Sequence, residues 1–336
     1  MPDIPLLLIL IVLVALLFDF TNGMHDCANV ISTVVSTKAL TPQAAVIMTV
    51  SLELLGALLG SHVAATLGSG IVHPEFVSGS RILVLAALFA AVFWNVVTWY
   101  FGIPSSSSHA LIGGLIGSGL AYGGLEALNG SSILTKVVIP IFAAPLLGFL
   151  VGFLVMGLIT AIFWHRNRTK CNAAFKKMQI VGAMFMATTH GMNDAQKTMG
   201  IIALALFTFG EIPEVTVPLW VKISCAGVMA LGMGSGGWKI IKTMGTKIFK
   251  MEIVHGFAVE TAATIVIGGA SAFGMPISTT HVITTSIFGV GAMQRLSAVH
   301  WGIAGNLVVA WVLTLPISAA IGWVCFMLLS ALGIGG

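Results

Sequence analysis

The chain runs as long apolar stretches separated by short polar interruptions. Four stretches carry no charged residue: Ile82–Phe101, Val137–Trp164, Thr261–Gln294 and Leu296–Gly336. A helix needs about 20 mostly apolar residues to cross the hydrocarbon layer, and each of these supplies at least that. Read coarsely, the apolar segments are 4–37, 43–68, 80–101, 104–122 and 134–164, then 180–208, 215–236, 252–273, 276–294 and 300–333. No stretch alternates with period two, as a spanning β-barrel requires. The pattern predicts an all-α polytopic membrane protein. Its first apolar run, Ile4–Phe18, follows no basic residue and precedes no small-residue cleavage site, so it reads as a retained helix.

Composition points the same way. Of 336 residues, 57% are hydrophobic and 8% charged, against about 25% charged in soluble domains. The 39 glycines suit helices that approach closely through small residues. Cys27, Cys171, Cys225 and Cys325 show no C-x-x-C spacing and read as small packing residues rather than a disulfide or zinc framework.

Charge then orients the chain. If every segment crosses once, eleven of the 15 Lys and Arg fall on one side: Lys38, Arg166, Arg168, Lys170, Lys176, Lys177, Lys239, Lys242, Lys247, Lys250 and Arg295. The other side receives Arg81 and Lys136 with the acidic Glu75, Glu126, Glu211 and Glu214. By the positive-inside rule the first side is cytoplasmic. The expectation is a multi-pass protein of the cell (inner) membrane with both termini extracytoplasmic.

A basic stretch, 165–179, divides the chain into 1–164 and 180–336, with five segments on each side. The second half therefore starts from the opposite face, the arithmetic of two inverted-topology repeats. Two motif pairs support it. Asn22-Gly23-Met24-His25-Asp26-Cys27-Ala28-Asn29 is matched by His190-Gly191-Met192-Asn193-Asp194-Ala195-Gln196-Lys197, with Asp26 and Asp194 offset by 194 − 26 = 168. Gly102-Ile103-Pro104-Ser105-Ser106-Ser107-Ser108-His109 is matched by Gly274-Met275-Pro276-Ile277-Ser278-Thr279-Thr280-His281, offset by 281 − 109 = 172. Inverted repeats with interrupted helices place their site at mid-membrane, so breaks are expected at the motifs. The spacing between anchors differs, and Glu53 is not paired with Glu260 by position.

The hydroxyl motifs suggest an anion site. Pro is favoured in the first helical turn, and the amides that follow are orphan donors at the positive end of the macrodipole. Two such ends, bearing Ser105, Ser106, Ser107 and Ser278, Thr279, Thr280, would cradle a tetrahedral oxyanion; helix capping is the plainer reading of either copy alone. The aspartates are complementary. Asp26 and Asp194 beside an anion repel it, so cations must enter with the anion. Hard oxygen donors from Asn22, Asp26, Asn29, Asn193, Asp194 and carbonyls freed at the breaks suit Na⁺ or protons. Glu53 and Glu260, each inside an apolar span, are candidate cation ligands or proton carriers, with a capping or interfacial role as the alternative. Lys197, next to Gln196, either neutralises Asp194 or serves the substrate.

Other features carry less chemistry. The nine histidines show no metal-ligand spacing, and each reads first as a satisfied packing residue. Trp94, Asn95, Trp99 and Tyr100 read as helix-end anchors at the interface. Gly232-Met233-Gly234-Ser235-Gly236-Gly237 satisfies G-x-G-x-x-G, but no strand precedes it and Trp238 separates Gly237 from Lys239, so no nucleotide site is expected. Ser105–Ser108, His109 and Asp26 supply the residue types of an intramembrane serine hydrolase, yet the hydroxyls recur in both repeats and no G-x-S-x-G elbow is present.

Asn22 to Leu40, His190 to Ile201 and both Pro-x-Ser-Ser/Thr-Ser/Thr-His segments resemble the inorganic phosphate transporter (PiT) family, over essentially the whole chain. The resemblance implies secondary transport of inorganic phosphate, with no cofactor and no nucleic-acid partner, through two inverted repeats in the bilayer, and a homodimer. It makes Asp26, Asn193 and Asp194 cation-site residues, and Ser105–Ser107 with Ser278–Thr280 the phosphate cradle. His25 stands where many members have Asn, and Gln196 with Lys197 where they have Ser and Asn. Both resemble the prokaryotic branch. The expectation is Na⁺-driven symport of phosphate, with H⁺-coupled uptake of phosphate or metal-phosphate as the alternative and an anion channel behind both.

Overall fold

A computed structural model describes residues 5–59, 70–163, 165–166, 168–275 and 277–334. Among these the chain is helical apart from turns and one isolated bridge between Val72 and Leu128. The first half contributes α1 (Leu6–Ser36), α2 (Pro42–Leu59), a short α3 (Pro74–Gly79), α4 (Leu83–Phe101), α5 (Ser107–Gly123) and α6 (Gly130–Phe163). The second contributes α7 (Arg168–Thr208), α8 (Leu219–Ser235), α9 (Trp238–Lys247), α10 (Ile253–Ala272), α11 (Thr279–Gln294) and α12 (Trp301–Ala331). Seven of these helices, or eight with the α8–α9 pair bent by 62°, are long and apolar enough to cross a membrane. Most of the basic stretch 165–179 is the start of α7, not a separate linker.

The packing obeys a two-fold rule. α1 packs on α8 as α7 packs on α2, α5 on α12 as α11 on α6, and α4 on α12 as α10 on α6. Each pair of contacts swaps one repeat for the other. The central helices α1 and α7 run antiparallel: Asp19 meets Thr198, Asn29 meets His190 and Thr37 meets Gln179. The repeats are therefore inverted. The same symmetry fixes the partners of the acids. A Cβ on Gly191 would lie 2.5 Å from the Glu53 carbonyl, and one on Gly23 would strike the Met229 carbonyl. Since 191 − 23 = 168, Glu53 is the counterpart of Met229, not of Glu260.

The expected breaks fall at only one motif of each repeat. α1 and α7 run unbroken through the aspartate motifs, which corrects the expectation of interrupted helices and freed carbonyls there. The glycines of these motifs are crossing points. Gly23 and Gly191 let another helix's backbone press against the motif, which a methyl group would prevent. At the hydroxyl motifs the chain does break, and in the same way twice. Gly102 (φ 68°) and Gly274 (φ 65°) end α4 and α10 in the left-handed conformation that glycine adopts without strain. Ser106 and Ser278 then cap α5 and α11 by accepting the amides of His109 and His281. Pro104 lies two residues before its cap, not in the first turn; Pro276 lies outside the described residues.

These breaks are hairpin tips that stop inside the bundle. Trp311 Nε1 donates to the Pro104 carbonyl at 2.8 Å, while Tyr122 at the far end of α5 packs 5.8 Å from Phe326. The tip thus meets α12 ten residues after its start at Trp301, about 15 Å along at 1.5 Å per residue, roughly half the hydrocarbon thickness. Segments 80–101 and 104–122, and likewise 252–273 and 276–294, therefore return to the face they came from. Removing two crossings from each half leaves the total even, so the connecting segments keep their faces; of the basic residues counted on the first face, Lys239 instead reaches the Tyr100 carbonyl beside the first tip. The hairpin also relocates the aromatic cluster of α4. Asn95 is buried and donates to Thr21, Trp94 donates to Thr314, and Lys239 donates to the Tyr100 carbonyl. These residues serve a tip, not an interface.

Candidate functional site

The two tips and the two aspartate motifs meet at the centre. The His109 and His281 rings lie 4.8 Å apart, and His281 stacks on Trp311 at 4.1 Å. This sets the N-termini of α5 and α11 side by side, so their unpaired first-turn amides converge. Helix α11 reaches both aspartates. Thr280 Oγ1 donates to Asp26 Oδ1 at 3.0 Å, and Thr279 Oγ1 donates to Asp194 Oδ2 at 2.8 Å.

The hydrogen bonds that Asp26 accepts come from a carboxamide and a hydroxyl. Asn29, one turn on, donates to Asp26 Oδ1 at 2.8 Å and to Thr280 Oγ1 at 3.0 Å. Asn22 lies on the same face, four residues before Asp26. The carboxamide oxygens of Asn22 and Asn29 are buried and accept no hydrogen bond from the protein. His25 stands 3.9 Å from Asp26, and its Nε2 lies 3.2 Å from Thr98 Oγ1 and 3.3 Å from Ser105 Oγ.

Around Asp194 the ligands are cationic or basic. Lys197 pairs with Asp194 Oδ1 and donates to the Ile277 carbonyl at 3.2 Å. His190 bridges Glu53 (2.8 Å) and Asp194 (3.1 Å) through its two ring nitrogens. Asp26, His190 and Asp194 each offer a ligand atom, all within 4.8 Å of one another.

Of the residues singled out in the sequence, Asp26, Asn29, Glu53, Asp194, Lys197, Thr279 and Thr280 form one buried cluster. The others make different contacts or stand beside the cluster. Asn193 donates to Ser271 at 3.1 Å. Glu260 accepts from Thr33 at 2.6 Å and Gln179 at 3.4 Å, in a second polar group further along α1. Ser106 and Ser278 are caps, Ser105 donates to Thr98, and Ser107 is buried with no hydrogen-bond partner in the protein. Gln196 is buried on α7.

Two buried polar residues stand out only in the structure. His190 reads as a packing residue for want of metal spacing, although it lies four residues before Asp194 and so on the same helical face. Asp19, fully buried and bonded to Thr198 at 2.8 Å, is an acid inside an apolar span, a signal open to the rule that singled out Glu53. The hydrolase reading loses its relay. Asp26 is held by Asn29 and Thr280, while His109 faces the ring of His281.

A buried ionic site where two inverted repeats meet, sealed within a bundle of membrane-length helices, defines a membrane transport protein. The profile of the phosphate transporter family matches residues 22–173 and 164–322, one span for each half. The chain belongs to this family; it is a phosphate transporter and not an enzyme. It is 45% identical to a probable low-affinity inorganic phosphate transporter of Bacillus subtilis, over 98% of this chain and 99% of that one. A protein of the same description from Rhizobium meliloti is 47% identical, over 95% and 96%. The fold is similar to a solved structure described as the sodium-dependent phosphate transporter, with a TM-score of 0.89 and 26% identity, covering 97% of this chain and 99% of that one.

Proposed function

We propose that the chain is a symporter that couples phosphate entry to sodium, with phosphate held between the N-termini of α5 and α11 and sodium held at Asp26. The observation that carries this reading is the pair of donor-less carboxamide oxygens of Asn22 and Asn29 on the face of Asp26. Buried acceptors are rarely left without a donor, and hard oxygens beside a carboxylate suit a small cation. The converging helix ends, with Ser105, Ser107, Thr279 and Thr280 beside them, supply amide and hydroxyl donors for the oxygens of phosphate. Asp26 then serves the accompanying cation, while Asp194 is already paired with Lys197. Repulsion between the carboxylates and phosphate in a site of low dielectric makes phosphate alone a poor occupant, which is the source of coupling.

A second reading is favoured by the imidazoles. His25 beside Asp26, and His190 between Glu53 and Asp194, suit proton coupling. The cluster of Asp26, His190 and Asp194 suits a divalent cation carried with phosphate. Uptake of labelled phosphate into proteoliposomes separates the two readings. The sodium reading expects accumulation under a Na⁺ gradient at equal pH. Uptake driven by a pH gradient and indifferent to Na⁺ overturns it, and loss of that uptake on adding a chelator points to metal-phosphate.

A further inference from the structure

The two halves of the central site are built on the same helical spacing but are not chemically equivalent. Asn29 follows Asp26 by three residues, and Lys197 follows Asp194 by three, so both pairs keep the offset of 168 (197 − 29 and 194 − 26). Both side chains turn back on their aspartate, each reaching its Oδ1. Thr280 and Thr279 complete the match by donating to Asp26 and Asp194. What differs is charge. At Asp26 the residue three positions on is neutral and leaves a carboxamide oxygen without a donor. At Asp194 it is an ammonium, buried, lying between a carboxylate oxygen and the Ile277 carbonyl. A carboxylate and a peptide carbonyl are the donors a hard metal cation takes.

From this we infer that Lys197 is a tethered cation, occupying on Asp194 the place that a coupling ion takes on Asp26. The transporter therefore moves one fewer cation with each phosphate than it would with a neutral residue at position 197. Lys197 acts on phosphate through the charge balance of the site. It also gives the site a permanent asymmetry, because the ammonium travels with α7 and cannot be released to either side.

The inference rests on cation-coupled symport, and its test separates the two. Sodium, protons and phosphate taken up are counted in the same proteoliposomes for the wild type, Lys197→Asn and Lys197→Arg. The wild-type ratio tests the coupling ion; the change between proteins tests Lys197. Lys197→Asn is expected to take one more cation per phosphate, carry one more positive charge per cycle and depend more steeply on cation concentration, while Lys197→Arg keeps the wild-type ratio. An unchanged ratio in Lys197→Asn overturns the inference, whichever ion couples. Should Lys197→Asn not transport, ions bound to the purified protein are counted at equilibrium, and a count equal to the wild type overturns it equally. Asn29→Lys, which builds the mirror ammonium beside Asp26, is expected to lower the ratio by one.

Discussion

Asp26 on α1 and Thr280 at the tip of the second hairpin share a 3.0 Å hydrogen bond across 254 residues of sequence. Thr279 does the same for Asp194, so one hairpin serves the carboxylates of both repeats. The corresponding first-hairpin hydroxyl, Ser107, has no hydrogen-bond partner in the protein. A hydrogen bond to a charged group contributes about 1.5–3 kcal/mol. Thr280→Val is therefore expected to raise the cation concentration for half-maximal uptake by roughly tenfold or more, at 1.4 kcal/mol per decade. Thr280→Ser, which keeps the hydroxyl, restores it. Uptake measured across a cation series checks both.

The aspartates themselves are less forgiving. Removing one partner of a buried, hydrogen-bonded charge pair costs about 2–5 kcal/mol, on the order of 100-fold in the step that depends on it. Asp26→Asn and Asp194→Asn are expected to abolish coupled phosphate uptake while the protein still reaches the membrane fraction at normal abundance. Normal uptake by either variant removes the ion-site assignment.

The hairpin seats predict a stability contrast. A Cβ on Gly117 would collide with the backbone of Ala319, whereas one on Gly305 meets nothing within 4 Å. Overpacking costs about 1–3 kcal/mol, and an exposed helical Gly→Ala gains roughly 0.5–1 kcal/mol. Thermal unfolding in detergent should show Gly117→Ala melting below the wild type and Gly305→Ala at or above it.

Charge asymmetry predicts the sidedness of the chain. Cysteines introduced at the exposed Lys176 and Glu214, with Cys171 and Cys325 replaced by serine, should react with an impermeant maleimide from opposite sides. Position 214 is expected to label in intact cells, and position 176 only after permeabilisation. The reverse pattern turns the bundle over.

Much of this arrangement is legible in the sequence because the repeat writes each element twice. Asp26 recurs as Asp194 and Ser106 as Ser278, and a left-handed glycine before a serine cap marks each tip. What local pattern does not carry is the identity of a partner from a distant helix. That Gly23 and Gly191 are the contact points for Met229 and Glu53 is not written in the motif itself. His190 looks like a packing residue until α2 brings Glu53 within 2.8 Å. Hydropathy likewise cannot separate a hairpin arm from a full crossing, since both are apolar. Only the contacts of Pro104 with Trp311, and of Tyr122 with Phe326, show where the first tip stops.

The exchange of hairpins between repeats also dictates an order of assembly. The α5 arm is seated on α12, and Gly117 precedes Ala319 by 319 − 117 = 202 residues. The first hairpin therefore leaves the ribosome long before the surface that holds it exists. Its face at Gly113 and Gly117, where a Cβ would meet α12, must wait in the bilayer against lipid or a chaperone until the C-terminal helix arrives. The N-terminal repeat is thus a half-built object, and α12 is the piece that locks the first hairpin in place.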